Sequence, residues 1–136
     1  MTNEVIEFPD AEALLLTYLN AAYAADDDFP TVKAYVTVPA TRPSTFTRLY
    51  RIGGSTPFPV VERVTFVVDC YATKSVTASQ LIRRTIAYIL AVNTVSGVQM
   101  YDPQVFAGPS NLPDPNVGTQ SRYTATVSVG VRGTAL

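Results

Sequence analysis

The chain has 136 residues, 47% hydrophobic and 15% charged, with a net charge of −1. That length supports one domain, 1–136, with a substantial core, and the balanced charge gives no basic field to draw the protein to nucleic acid. His is absent and Cys occurs once, which excludes His-based triads, His-bearing zinc sites, an internal disulfide and multi-Cys clusters.

A first helix is expected after Phe8-Pro9-Asp10. Asp10 is a good N-cap and Glu12 suits the positive end of the helix. Leu14, Leu15, Tyr18, Leu19, Ala22 and Tyr23 fall on one apolar face. Asp26-Asp27-Asp28 follows, and carboxylates oppose the dipole at a helix C-terminus, so the helix should end before them. Residues 31–38 alternate as a strand, with Pro39 and Pro43 bracketing a break. A second strand is predicted over 45–52, with Phe46, Arg48, Tyr50 and Ile52 on one face and Thr47, Leu49 and Arg51 on the other. Gly53-Gly54-Ser55-Thr56-Pro57 reads as a turn or flexible loop. Residues 60–72 form a long third strand. Val64, Phe66, Val68, Cys70 and Ala72 line its apolar face, which makes Cys70 a small buried hydrophobe.

The second helix is expected from Thr77 to about Asn93. Thr77-Ala78-Ser79-Gln80 has the form of a capping box. Leu81, Ile82, Ile86, Ile89 and Leu90 supply its apolar side. Residues 98–101 and 104–107 read as two short strands separated by Asp102-Pro103. Residues 108–118 form a proline-rich loop. Residues 122–132 then alternate, Tyr123, Ala125, Val127, Val129 and Val131 inside, Thr124, Thr126, Ser128, Gly130 and Arg132 outside. One buried and one wet face is antiparallel behaviour. The fold class is therefore α+β: a mainly antiparallel β-sheet with two α-helices packed on one face, plus an extended hairpin or loop.

No catalytic constellation emerges, so the protein reads as a non-enzyme without a cofactor or metal. Asp26, Asp27 and Asp28 offer the oxygen ligands a hard cation takes, but no spaced carboxylates or glycine scaffold accompany them. They read as a solvated acidic loop. Glu62 and Asp69 are seven apart on one strand and face opposite sides. Gly53-Gly54 lacks phosphate-cradle spacing. Eight of the ten basic residues are Arg, the better residue for interfaces. The charged fraction lies below the usual level of about 25%, so part of the surface is expected to be covered by another molecule. No run reaches about 18 apolar residues, so no membrane span is expected. Met1-Thr2-Asn3-Glu4 does not open a secretory signal, which implies a cytoplasmic start.

Gly108-Pro109-Ser110-Asn111-Leu112-Pro113-Asp114-Pro115, followed by the strand over 122–133, resembles the C-terminal signature of tail terminator proteins from phages of actinobacteria. Arg48-Leu49-Tyr50-Arg51-Ile52-Gly53-Gly54 and the strand over 64–73 resemble further segments of that family, in the same order. The likeness spans residues 10–133. It implies a lambda-type terminator, a small α+β subunit of a hexameric ring at the head–tail junction of the virion, assembled in the host cytoplasm. Its implied partners are further copies of itself, the major tail tube protein and the head–tail connector or stopper. Viral DNA would pass through the lumen without sequence-specific binding, and no membrane is involved. Two segments are candidates for joining subunits. A hairpin built from 41–51 and 53–59 is expected to present Arg42, Arg48 and Arg51 to a neighbour's Asp26, Asp27 and Asp28. The stiff loop is expected to offer Asn111, Leu112, Pro113 and Asp114, with Leu112 as the apolar anchor. Other neck proteins, for head or tail completion, share this kind of module. A different class, a cytosolic ligand-binding module using Tyr35, Tyr50 and Tyr71, is the competing expectation.

Overall fold

Apolar residues at alternate positions over 64–72 and 123–131 set the layering. In the computed structural model, which describes residues 3–136, the elements run β1 (Ile6–Glu7), α1 (Ala11–Ala24), β2 (Ala34–Tyr35), β3 (Phe46–Phe58), β4 (Val61–Ala72), α2 (Ser75–Leu90), β5 (Thr94–Val95), β6 (Val98–Asn111), β7 (Ser121–Arg132) and β8 (Thr134–Ala135). Met1 and Thr2, on which the expectation of no secretory signal partly rests, lie outside the described residues. The main sheet has six strands in the order β2-β3-β4-β7-β6-β5. β3, β4, β7 and β6 pair antiparallel one to the next, and β2 joins β3 in parallel. β1 and β8 form a separate two-stranded pair. The protein is thus α+β with a mostly antiparallel sheet and two helices, as its patterning predicts.

Val64, Phe66, Val68 and Cys70 of β4 and Ala125, Val127, Val129 and Val131 of β7 face the helices and are buried. Leu15, Leu19 and Tyr23 of α1 and Leu81, Ile82 and Ile89 of α2 close the same core. Each such aliphatic side chain contributes about 1.5–3 kcal/mol by burial. Asp10 caps α1 as expected, its Oδ1 accepting from the Ala13 N–H at 3.1 Å. Inside the core, the Tyr23 hydroxyl bonds Thr85 Oγ1 and lies 2.9 Å from Thr47 Oγ1. Cys70 sits beside this cluster, 3.5 Å from Thr47 Oγ1, and burial pushes its thiol up to about 12.

Several expected boundaries move. The strand expected over 31–38 shrinks to two residues, because only Ala34 and Tyr35 find a partner in β3. Helix α2 starts at Ser75, with Lys74 as an N-cap that makes no side-chain bond. Thr77 therefore lies inside the first turn and forms no capping box. The register that buries Ala78, Leu81, Ile82, Thr85 and Ile89 on the sheet prevails over local capping. The helix ends at Leu90 rather than Asn93, and Leu90 itself is exposed.

Gly53 and Gly54 are not a turn. They lie inside β3, and the chain reverses at Pro59-Val60. The reason is a close approach: a Cβ on Gly54 would lie 2.4 Å from the Arg63 carbonyl oxygen across the hairpin. Likewise the two short strands and the start of the loop merge into β6. Register shifts at Tyr101/Gln104, Val105/Ala107 and Ala107/Ser110 absorb the prolines and keep the strand beside β7. The proline-rich loop is therefore confined to residues 112–120.

Candidate functional site

Three of the charges expected to meet a neighbouring subunit, Asp26, Asp28 and Arg51, have ion-pair partners within the chain. Asp26 is buried at the end of α1. Its Oδ1 accepts from the Asp28 N–H at 2.8 Å and the Phe29 N–H at 3.1 Å. Its Oδ2 accepts from Arg84 at 2.6 Å and from the Tyr88 hydroxyl. The Tyr88 and Arg84 hydrogen bonds hold its carboxyl well below the usual carboxylate range. Arg84 also reaches Asp28 at 2.7 Å. Asp27 and Asp28 are both exposed, and Asp27 has no ion-pair partner among the described residues. Asp26 and Asp28 thus clamp α2 to the turn after α1, while Asp27 stays solvated as expected.

The three hairpin arginines are likewise dispersed. Arg42 stacks at one end of the outer sheet face, its guanidinium carbon 4.6 Å from the Tyr71 ring centroid and 5.1 Å from that of Phe46. Its Nε bonds Gln120, and one η nitrogen is buried with no hydrogen-bond partner among the described residues. Arg42 borders a shallow pocket of about 360 Å³, also lined by Pro43, Ser44, Thr73, Thr119 and Gln120. Arg48 lies over Tyr50 at 4.2 Å and donates to the Val36 carbonyl. Arg51 binds Glu62 across the hairpin through both η nitrogens, at 2.8 and 3.3 Å. Its backbone N–H donates to the Glu12 carboxylate at 2.8 Å.

The loop candidates divide. Asn111 ends β6 opposite Tyr123, and Leu112 is 53% exposed. The Leu112 backbone is anchored: its N–H donates to the Arg122 carbonyl, and its carbonyl accepts from Arg122 Nε at 2.7 Å. Pro113 is exposed. Asp114 turns back onto the sheet, accepting from the Asn116 N–H and the Tyr71 hydroxyl. The Asn116 bond is the main reason its carboxyl is lowered. The loop is fixed at its base and presents Leu112 outward.

The tyrosines of the ligand-binding alternative pack on protein. Tyr71 stacks on Phe46 at 4.8 Å, Tyr35 stands edge-on to Phe46, and Tyr50 lies under Arg48. None of the three lines the pocket beside Arg42.

What the structure adds are two arms. Residues Arg51–Phe58 of β3 are exposed, as are Gln104–Asn111 of β6. The arms carry Ile52 at 53% and Phe58 at 63% exposure on one edge, and Phe106 at 60% on the other. Among the described residues, β3 has no strand on its outer side beyond Arg48, and β6 has none beyond Gln99. The sequence carried a signal for both: residues 52–61 and 103–113 contain no charge. Exposed segments that are apolar and uncharged match the centre of protein interfaces. The chain matches no protein-family model and no curated protein.

Proposed function

We propose that this chain is a structural subunit of a phage neck, a tail terminator that closes into a ring on the completed tail tube. The observation that carries the reading is the pair of exposed, uncharged arms on opposite edges of one sheet. A cyclic ring requires two different patches on every subunit, and the arms offer them. The resemblance over 108–115 and 122–133 supports the same role. In this role six copies stop tube polymerisation, offer the head connector a surface and leave a lumen for DNA, without catalysis.

Electron microscopy of particles from a phage lacking the gene tests it. Abnormally long tails, corrected by supplying the gene, are expected. Tails of normal length remove the terminator role. Normal tails beside unattached heads assign the chain to another position in the neck.

A further inference from the structure

Ile52 and Phe106 occupy matching places on opposite edges of the sheet. Ile52 is the residue skipped in β3 where the register shifts between Arg51 and Gly53. Phe106 is the residue skipped in β6 between Val105 and Ala107. A bulge leaves its extra residue outside the ladder. The ladder itself places both at one level: Arg51 pairs with Phe66, Phe66 with Val127, and Val127 with Val105. At the same height, then, each edge carries one large exposed apolar side chain.

Strand direction matches as well. β3, β4, β7 and β6 alternate in direction, so β3 runs opposite to β6. A second copy set beside the first in the same orientation therefore brings antiparallel strands together. That repeats the relation each long strand already has with its neighbour. No charge intervenes in either segment. The chain's surface, 7395 Å², exceeds the roughly 6,900 Å² typical of a folded monomer of this mass, in keeping with arms that stand out from the body.

We propose that copies of this chain join edge to edge, head to tail, with Ile52 of one copy seated against Phe106 of the next. The inference deepens the ring reading above and rests on it for closure of the chain of copies. A second copy is the occupant because one heterologous contact, repeated, covers both edges, whereas an isologous pair leaves one edge bare. Pro57, Pro103 and Pro109 and the bulges interrupt a continuous ladder. Side chains therefore carry the contact, with few backbone bonds.

The test uses the full chain with Ile52→Cys or Phe106→Cys and a short bis-maleimide crosslinker. Cys70 is fully buried and does not compete. At millimolar protein, an equal mixture of the two variants is expected to give a 52–106 crosslink about tenfold above either variant alone. Self-crosslinking of one variant at the level of the mixture marks an isologous contact and overturns the proposal. So does the absence of any crosslink. Phe106→Asp, folded by circular dichroism, is expected to weaken self-association about tenfold or more in sedimentation; unchanged association counts against the contact. Long tails in the phage lacking the gene, together with no 52–106 crosslink, would keep the ring and discard this interface.

Discussion

Asp26 shows how one side chain joins distant segments. It accepts two backbone N–H groups just after α1 and binds Arg84 and Tyr88 of α2. Its folded carboxyl lies below the unfolded value, so its contribution is present above about pH 4 and is lost as pH falls below that. Thermal melts should therefore be flat between neutral pH and about pH 5 and fall below about pH 4. Asp26→Asn should melt lower at neutral pH and show a shallower acid fall. A wild-type acid fall that persists in full in this variant would assign it to other groups. The alkaline side has the opposite sign. Burial raises the Tyr23 hydroxyl and pushes the Cys70 thiol from 9.0 to about 12. Stability from these groups is present below about pH 9 and is lost as pH rises toward the folded values. Cys70→Ser should reduce the first part of that loss, read by chemical denaturation at pH 8 and above.

The β3–β4 hairpin and the loop over 112–120 make predictions as elements. Gly54 is needed for backbone approach, since its Cβ would meet the Arg63 carbonyl at 2.4 Å. Gly54→Ala should cost the hairpin about 1–3 kcal/mol through forced displacement. The arm is exposed and carries little of the core, so amide exchange should quicken over 53–62 while α1 and α2 keep their protection. Uniform loss of protection would instead make the arm part of the global fold. In the loop, Leu112→Asp should change stability by no more than about 0.5 kcal/mol, because the side chain is exposed and the backbone bonds to Arg122 remain. In the proposed role, a phage carrying it should fail to complete tails. Unfolding of the variant would assign Leu112 to the core, and normal tails would leave the loop as a connector.

At the scale of the whole molecule, the arms add surface without adding core. Interfaces below about 1,200 Å² are weak or transient, and two narrow edges of a 136-residue chain offer each neighbour little area. The free protein should sediment as a monomer at micromolar concentration and close into rings only on tail tubes, where a template supplies avidity. A stable closed ring at micromolar protein without tubes would contradict this.

The sequence by itself determined what depends on local period. The apolar faces of both helices, the helix-facing residues of 64–72 and 123–131, the Asp10 cap and the burial of Cys70 follow from spacings of 3.6 and 2 within single elements, whereas the opposite sheet face, expected to be wet, buries Asp69, Tyr71, Ser128 and Gly130 under side chains from elsewhere in the chain. The tertiary structure decided what depends on partners far along the chain. Asp26 and Arg84 are 58 positions apart, and only the packing of α1 beside α2 turns a run of carboxylates into a clamp. Gly53-Gly54 resembles a turn until β4 lies against it. The pieces of β6 are one strand only because β7 accepts its bulges. The candidate surface was legible in part, as two uncharged runs. That Ile52 and Phe106 stand at one height on opposite edges was not, because that height is set by three successive strand pairings, and register between strands is a property of the folded sheet.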